Sequence, residues 1–318
     1  MPDQPDWIWD IICCPECGGQ LQPGRQNDQI YCSNPACDFT SHREGRLLDL
    51  LPKALDQHQQ AENAFREGIN RQRAEQVSQM NADQARRYRL LNQITYYAFT
   101  SQYFYFRDDF SKQYALQGRG LEIGGAMGQL SGFVKLFYPE TQMVTSDVAP
   151  FNITLGIDLA DLLGFETDYF VMADAERLPF KPESFDFLCS SGMLHHLGNL
   201  PRALQKGYEV LKPGGRWYII NELAIGRMPR AIWNSHLGQK GRWADDTGIR
   251  ENSYTLKEWR TFFESQGFGI VEQRFHRNPK HKLLSWPRSF YYALIASLPV
   301  WMIKMGIPSE VNFVLERG

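Results

Sequence analysis

The sequence predicts an α/β fold, a doubly wound sheet of mostly parallel strands with a small cysteine-bearing module in front of it. Three observations predict it. Between residues 119 and 222 short apolar runs alternate with helical stretches, the pattern of strands joined by crossover helices. The first run, Gly120-Leu121-Glu122-Ile123, passes straight into Gly124-Gly125-Ala126-Met127-Gly128 and a helical pattern, which reads as strand, tight turn and helix N-terminus. Near the front of the chain, Cys14 and Cys17 are followed by Cys32 and Cys37, two close pairs with metal-site spacing.

The totals set the bounds. A chain of 318 residues, 43% hydrophobic and 22% charged, has room for one large domain with an addition, or for two domains. With 34 basic and 36 acidic residues the net charge is −2, so no global electrostatic argument favours nucleic acid or an acidic substrate. A basic start followed by an apolar leader is absent, and so is any apolar run of about eighteen residues, so neither secretion nor a membrane span is expected. The expected location is cytoplasmic. Six cysteines, five of them early and four of these in two spaced pairs, point to metal rather than to a disulfide framework.

Residues 1–52 read as a zinc ribbon. Cys14-Pro15-Glu16-Cys17-Gly18-Gly19 and Cys32-Ser33-Asn34-Pro35-Ala36-Cys37 each bring two thiolates to one ion, and four sulfurs close a tetrahedral site with no position for water. The expected metal is structural Zn2+ on Cys14, Cys17, Cys32 and Cys37, with Cys13 and His42 as alternative ligands. Together with Glu44-Gly45-Arg46-Leu47-Leu48-Asp49-Leu50-Leu51-Pro52, the stretch resembles the zinc ribbon at the front of a group of bacterial methyltransferases, the ribosomal RNA guanine methyltransferases of the RlmA type among them. Related ribbons also form separate activator subunits of methyltransferases.

Residues 53–87 are rich in Gln, Ala, Glu and Arg and are expected to form a polar helical linker. Arg66, Arg71, Arg73, Arg86, Arg87 and Arg89 make a basic face that either contacts phosphate or is simply solvated. An aromatic cluster follows, with Tyr88, Tyr96, Tyr97, Phe99, Tyr103, Phe104, Tyr105, Phe106, Phe110 and Tyr114. Its rings are expected to pack a helix onto the core, some of them lining a pocket.

Beyond the glycine loop, Ser131 to Tyr138 reads as a helix and Gln142 to Asp147 as a second strand ending in a carboxylate, placed to accept bonds from ribose hydroxyls. Tyr169 to Ala173 is the third strand, followed by Asp174-Ala175-Glu176-Arg177-Leu178-Pro179-Phe180. Phe185 to Ser191 is the fourth. A helix over Pro201 to Leu211 stops at Lys212-Pro213-Gly214-Gly215, and Arg216 to Glu222 is the fifth strand.

These motifs in this order, with Ser191-Gly192-Met193-Leu194-His195-His196-Leu197 after the fourth strand, resemble a class I S-adenosylmethionine-dependent methyltransferase. The resemblance implies a Rossmann-like seven-stranded doubly wound sheet in the order 3-2-1-4-5-7-6. It also implies S-adenosyl-L-methionine as cofactor. Gly124, Gly125 and Gly128 would lie under its methionine part, with Glu122 bonding the loop or the amino group. Asp147 would hold the ribose, Asp174 with the Ala175 amide would read the adenine edge, and Ser191 with Gly192 would sit beside the sulfonium. Ala126 departs from the plainer glycine pattern.

A sulfonium already carries an activated methyl, so positioning supplies most of the acceleration, and a base is needed only if the acceptor must lose a proton. His195, His196 and Glu222, the last at the tip of the fifth strand and facing the acceptor, are the candidates for that role; the two histidines also have a structural reading as cap or core residues. Residues 223–254, with Arg227, Arg230, Trp233, His236, Lys240, Arg242 and Trp243, are expected to form a lid inserted in a methyltransferase domain spanning 88–318. Phe268 to Phe275 and Val311 to Glu316 read as the sixth and seventh strands. Between them a basic segment with Arg274, His276, Arg277, Lys280, His281, Lys282 and Arg288 leads into an apolar one, and segment 274–304 is read as a buried helix with a solvated leader, a peripheral membrane contact or an RNA contact. The expected function is methyl transfer to a small-molecule or lipid-type acceptor, favoured over RNA. The alternatives are an rRNA or tRNA base methyltransferase and a non-catalytic cofactor-binding scaffold that docks a partner through its ribbon.

Overall fold

The structure is a computed structural model and describes residues 6–24, 28–79, 81, 83–84, 114, 116–163, 167–226, 230–231, 251–275, 290, 294, 297–299, 301–302 and 309–318. Its strands are β1 (Leu21–Pro23), β2 (Gln29–Cys32), β3 (Thr40–Glu44), β4 (Leu47–Asp49), β5 (Arg119–Ile123), β6 (Gln142–Asp147), β7 (Tyr169–Met172), β8 (Phe185–Ser191), β9 (Leu211–Ala224), β10 (Phe268–Phe275) and β11 (Ser309–Arg317). The helices are α1 (Ile8–Ile11), α2 (Gln57–Ser78), α3 (Gln129–Phe137), α4 (Pro150–Leu163), α5 (Leu200–Val210) and α6 (Leu256–Ser265).

Among the described residues the sheet has eleven strands, not the seven expected, in the order β1-β2-β3-β4-β7-β6-β5-β8-β9-β11-β10. From β7 to β10 this is the anticipated order. The difference lies at one edge, where β4 pairs in parallel with β7 in the register Leu47↔Phe170, Leu48↔Val171 and Asp49↔Met172. Bonds from Phe170 N to Arg46 O and from Leu50 N to Met172 O extend the ladder. The physical reason is that β7 would otherwise leave a row of unpaired amides and carbonyls at the sheet edge. Leu47, Leu48 and Leu50 are buried there. Ile8, Ile11, Ile12, Leu21 and Ile30 share one hydrophobic core with Val171, Leu178 and Phe180, and the Cys13 amide bonds the Pro179 carbonyl at 2.9 Å.

Strand alternation sorts the main sheet into two faces. Leu121, Ile123, Leu188, Trp217 and Ile219 pack on one side with α5 and α6, through Leu200, Leu204, Trp259 and Phe263. Phe187, Cys189, Tyr218 and Ile220 pack on the other with Leu130, Phe133 and Val134 of α3. Helix α5 buries Leu200, Ala203, Leu204, Gly207 and Val210, a stripe at helical spacing, and starts on Asn199, whose side chain accepts from Arg202 N. Helix α6 starts on a capping box of Thr255 and Glu258.

Two elements differ from expectation. β9 begins at Leu211 and runs through Lys212-Pro213-Gly214-Gly215, where the sequence predicts a stop. A register shift between Phe185 and Phe187 absorbs this stretch as a bulge, in which Gly214 at φ 73° is tolerated and Pro213 needs no ladder donor. α4 has no counterpart in the sequence reading, because Gly156, Thr154 and Asn152 dilute its helical signal. No helix among the described residues is long and apolar enough to cross a membrane.

Candidate functional site

The strand tips that face one another at the C-terminal end of the parallel strands carry most of the expected site residues, at the place where an open α/β sheet binds ligands. β5 ends in a loop with Gly124 at φ 61°, Ala126 at φ 49° and Gly128 at φ 74°. At Gly124 and Gly125 the turn leaves no room for a side chain. A Cβ on Gly125 would lie 2.7 Å from Glu122 Cδ and 2.8 Å from Thr145 Cγ2, and one on Gly124 would lie 2.8 Å from Met193. Glu122 is buried and accepts bonds from Ser131 Oγ at 2.6 Å, Ser131 N at 2.8 Å and Leu130 N at 3.2 Å, so it anchors the first turn of α3. Burial pushes its carboxyl up to about 7, against the pull of those donors.

At the tip of β6, Asp147 accepts from the Ala126 amide at 2.8 Å, which ties the glycine loop to the second strand, and from the Ala149 amide at 2.8 Å. Asp174, after β7, is 2% exposed, accepts from Glu176 N at 2.8 Å and faces Arg177 Nε at 3.4 Å; Ala175 follows it in a tight helical turn. At the end of β8, Gly192 has φ 57° and its amide bonds Ile220 O, while Asn221 Nδ2 reaches Ser191 Oγ at 3.4 Å.

The three candidates for proton chemistry form one constellation. Glu222, expected to face the acceptor, is instead fully buried. One oxygen takes the amides of Met193 and Leu194 at 3.0 and 2.9 Å, and the other lies 2.8 Å from His195 Nδ1. Its placement at the tip of β9 therefore serves the histidine turn, where a wholly buried carboxylate has found three partners. The rings of His195 and His196 lie 4.3 Å apart between centroids, tilted by 40°. Glu251, which no sequence motif singled out, stands 3.7 Å from His195 Nε2 and 3.6 Å from His196 Nδ1. It comes from the far end of the segment 223–254, whose two ends are joined by a bond from Ile225 N to Tyr254 O and by Arg230, which pairs with Glu258 at 2.6 Å. Residues 232–250, with most of the expected lid side chains, lie outside the described residues, as do the aromatic cluster apart from Tyr114 and the basic residues from His276 to Arg288. Phe290, Leu294 and Trp301 are exposed.

In the N-terminal module, the sulfurs of Cys14, Cys17, Cys32 and Cys37 all lie within 4.8 Å of one another; Cys13 and His42 are not in the group. Cys14 and Cys37 are 3.7 Å apart and Cys17 and Cys32 3.5 Å, close to the edge of about 3.8 Å in a tetrahedron of thiolates at about 2.3 Å from zinc. The Gly19 amide donates to Cys17 Sγ at 3.4 Å, a bond that favours the thiolate, and Cys17 is lowered to about 7. The donor set fits a structural zinc ion.

Residues 121–219 match the family model described as a methyltransferase domain. The chain is 28% identical over 148 residues to the uncharacterized methyltransferase YcgJ of Bacillus subtilis, covering 46% of this chain and 55% of that protein. It is 36% identical over 104 residues to the ubiquinone/menaquinone biosynthesis C-methyltransferase UbiE of Pseudomonas savastanoi pv. phaseolicola, covering 32% of this chain and 41% of that protein. The chain thus spans about half the length of the curated relatives it matches. The crystal structure of Bacillus YcgJ aligns with a TM-score of 0.48 at 18% identity, over 69% of this chain and 99% of that one.

Proposed function

We propose that the protein transfers a methyl group from S-adenosyl-L-methionine to a small-molecule or lipid-type acceptor, and that its N-terminal ribbon holds a structural zinc ion. The observation that carries this reading is the meeting, at the strand tips, of a glycine-rich loop with two nearly buried carboxylates, Asp147 and Asp174. Gly124, Gly125 and Gly128 would let backbone lie against the methionine part of the cofactor, and Asp147, at the tip of β6, would take ribose hydroxyls. Asp174 with the Ala175 amide would meet the adenine, and Ser191 and Gly192 the region of the sulfonium. When bound, the cofactor supplies an activated methyl, so the work left to the chain is to position the acceptor and exclude water.

His195, oriented by Glu222, and His196 would face the acceptor. Residues 1–52 would act as the ribbon, 53–87 as the connection and 88–318 as the catalytic domain, with 223–254 closing over the cleft. A lipid-type acceptor draws support from exposed Phe290, Leu294 and Trp301 and from a relative named for ubiquinone and menaquinone biosynthesis, and a net charge of −2 weighs against RNA. These exposed residues also support a peripheral contact with a membrane surface.

The test is transfer of labelled methyl from the cofactor into cell extract, fractionated into lipid, small molecules, RNA and protein. Label in the lipid or small-molecule fraction is the expected result, and label in RNA alone would replace this acceptor class. No transfer, with S-adenosylhomocysteine still bound, would leave the scaffold reading.

A further inference from the structure

The acceptor side of the cleft contains a second cluster with metal-ligand chemistry, separate from the cysteines. One nitrogen from each of His195 and His196 and one oxygen of Glu251 lie within 4.8 Å of one another. Two imidazoles and a carboxylate on one side of an ion, with the other positions open, is a donor set that suits zinc, ferrous iron, manganese or cobalt.

Two further features of the surroundings belong to such a site. Glu222, fully buried, holds His195 Nδ1 at 2.8 Å. A carboxylate there favours the tautomer with its proton on Nδ1, which turns the Nε2 lone pair outward toward Glu251, the carboxylate–histidine–metal arrangement found behind metal-bound imidazoles. Glu251 in turn is fixed through its neighbour, because the Asn252 amide bonds His195 O at 2.9 Å and Asn252 Nδ2 bonds Leu197 O at 2.9 Å. The side chains of His195, His196 and Glu251 are 14%, 24% and 14% exposed, so the ligands are walled in yet reached by solvent.

We propose that His195 Nε2, His196 Nδ1 and Glu251 bind one divalent transition-metal ion on the acceptor side, with its remaining positions open to water or to an oxygen of the acceptor. Oxygens of Glu251 stand 3.7 and 3.6 Å from the two nitrogens, close to the edge of about 3.4 Å in a tetrahedron with bonds of about 2.0–2.2 Å. Binding of the ion does not depend on the methyl-transfer reading. Its use, to orient and polarise an acceptor oxygen, does rest on that reading.

The test is metal binding by the full chain with the cysteines already loaded with zinc. Titration with Co2+, followed by calorimetry and visible absorption, is expected to show one equivalent bound with the weak bands of nitrogen and oxygen ligands. The intense thiolate charge-transfer band of cobalt in the ribbon should be missing. His196→Ala and Glu251→Gln should each weaken binding by more than about tenfold while the ribbon keeps its zinc. If His196→Ala does not fold, Glu251→Gln gives the same reading. No Co2+ bound beyond the cysteines, or binding that neither variant weakens, would overturn the proposal, whatever methyl-transfer assays report.

Discussion

Glu222 Oε2 stands 2.8 Å from His195 Nδ1 while Oε1 takes the amides of Met193 and Leu194, so one buried carboxylate both shapes the turn after β8 and aims the imidazole that turn presents. Glu222→Ala would leave two buried donors and a ring nitrogen without this partner and is expected to cost about 3–5 kcal/mol of stability. Glu222→Gln keeps a carbonyl for the two amides but offers its NH2 to Nδ1, so a cost near about 1 kcal/mol is expected, with the His195 proton moved to Nε2. Denaturant unfolding measures the first effect and nitrogen NMR of the imidazole the second. Methyl transfer by the Gln variant should fall more than tenfold; full activity would remove His195 from the reaction.

The glycine loop makes a sharper prediction about the cofactor. Gly125→Ala places a methyl 2.7 Å from Glu122 and 2.8 Å from Thr145, neither of which can withdraw easily from the core. The expected cost is about 1–3 kcal/mol of stability, with binding of S-adenosylhomocysteine lost or weakened more than tenfold. Calorimetric titration with S-adenosylhomocysteine checks it. Binding as tight as in the parent would separate the loop from the cofactor.

Glu122 gives a pH signature. Its carboxyl, pushed by burial from 4.5 up to about 7, keeps its proton in the folded chain over a range where the unfolded chain has lost it. Stability from this group is therefore complete below about pH 4.5 and falls by on the order of 3 kcal/mol as pH rises toward 7, then levels off. In Glu122→Gln the slope over that window should flatten. Urea midpoints of parent and variant at about pH 5 and about pH 8 compare them, and equal slopes would refute the assignment.

Loss of zinc should be felt beyond the ribbon. Cys32→Ser, or chelation, opens the ring of sulfurs that holds the two cysteine turns together. Because β4 is part of the main sheet and the ribbon's isoleucines are part of its core, the unfolding midpoint of the whole chain should fall. An ion held a thousandfold above its dissociation constant contributes about 4 kcal/mol, which sets the scale. Zinc content by mass spectrometry alongside thermal unfolding tests this, and an unchanged midpoint after complete removal would contradict it.

How much of this was readable beforehand depends on the range of the interactions involved. β8 and β10 run from Phe185 to Ser191 and from Phe268 to Phe275 as the sequence predicts, because a short apolar run bounded by turn residues is a local signal. The carboxylates after β6 and β7 were legible for the same local reason. The burial of Glu222 was not, since its position at a strand tip says nothing about the amides of Met193 and Leu194 that enclose it. Glu251 carries no local signal at all; only the return of the chain through Asn252 brings it to the histidines. The extra strands were hidden likewise, because Leu47-Leu48-Asp49 is too short to announce a partner.

The pairing of Leu47 with Phe170 also bears on the order in which the molecule can assemble. Residues 6–50 leave the ribosome before the rest of the sheet, and their cysteine turns and hairpins close within a short loop. β4 must wait for β7, which is made much later and only after the glycine loop and β6, so the closure that completes this edge is among the longest-range in the fold. Until then Leu47, Leu48 and Leu50 have no core, and β7, once made, has an open edge that invites another chain. A nascent chain that lacks its ribbon would thus be exposed to misassociation at the same strand whose far end carries Asp174.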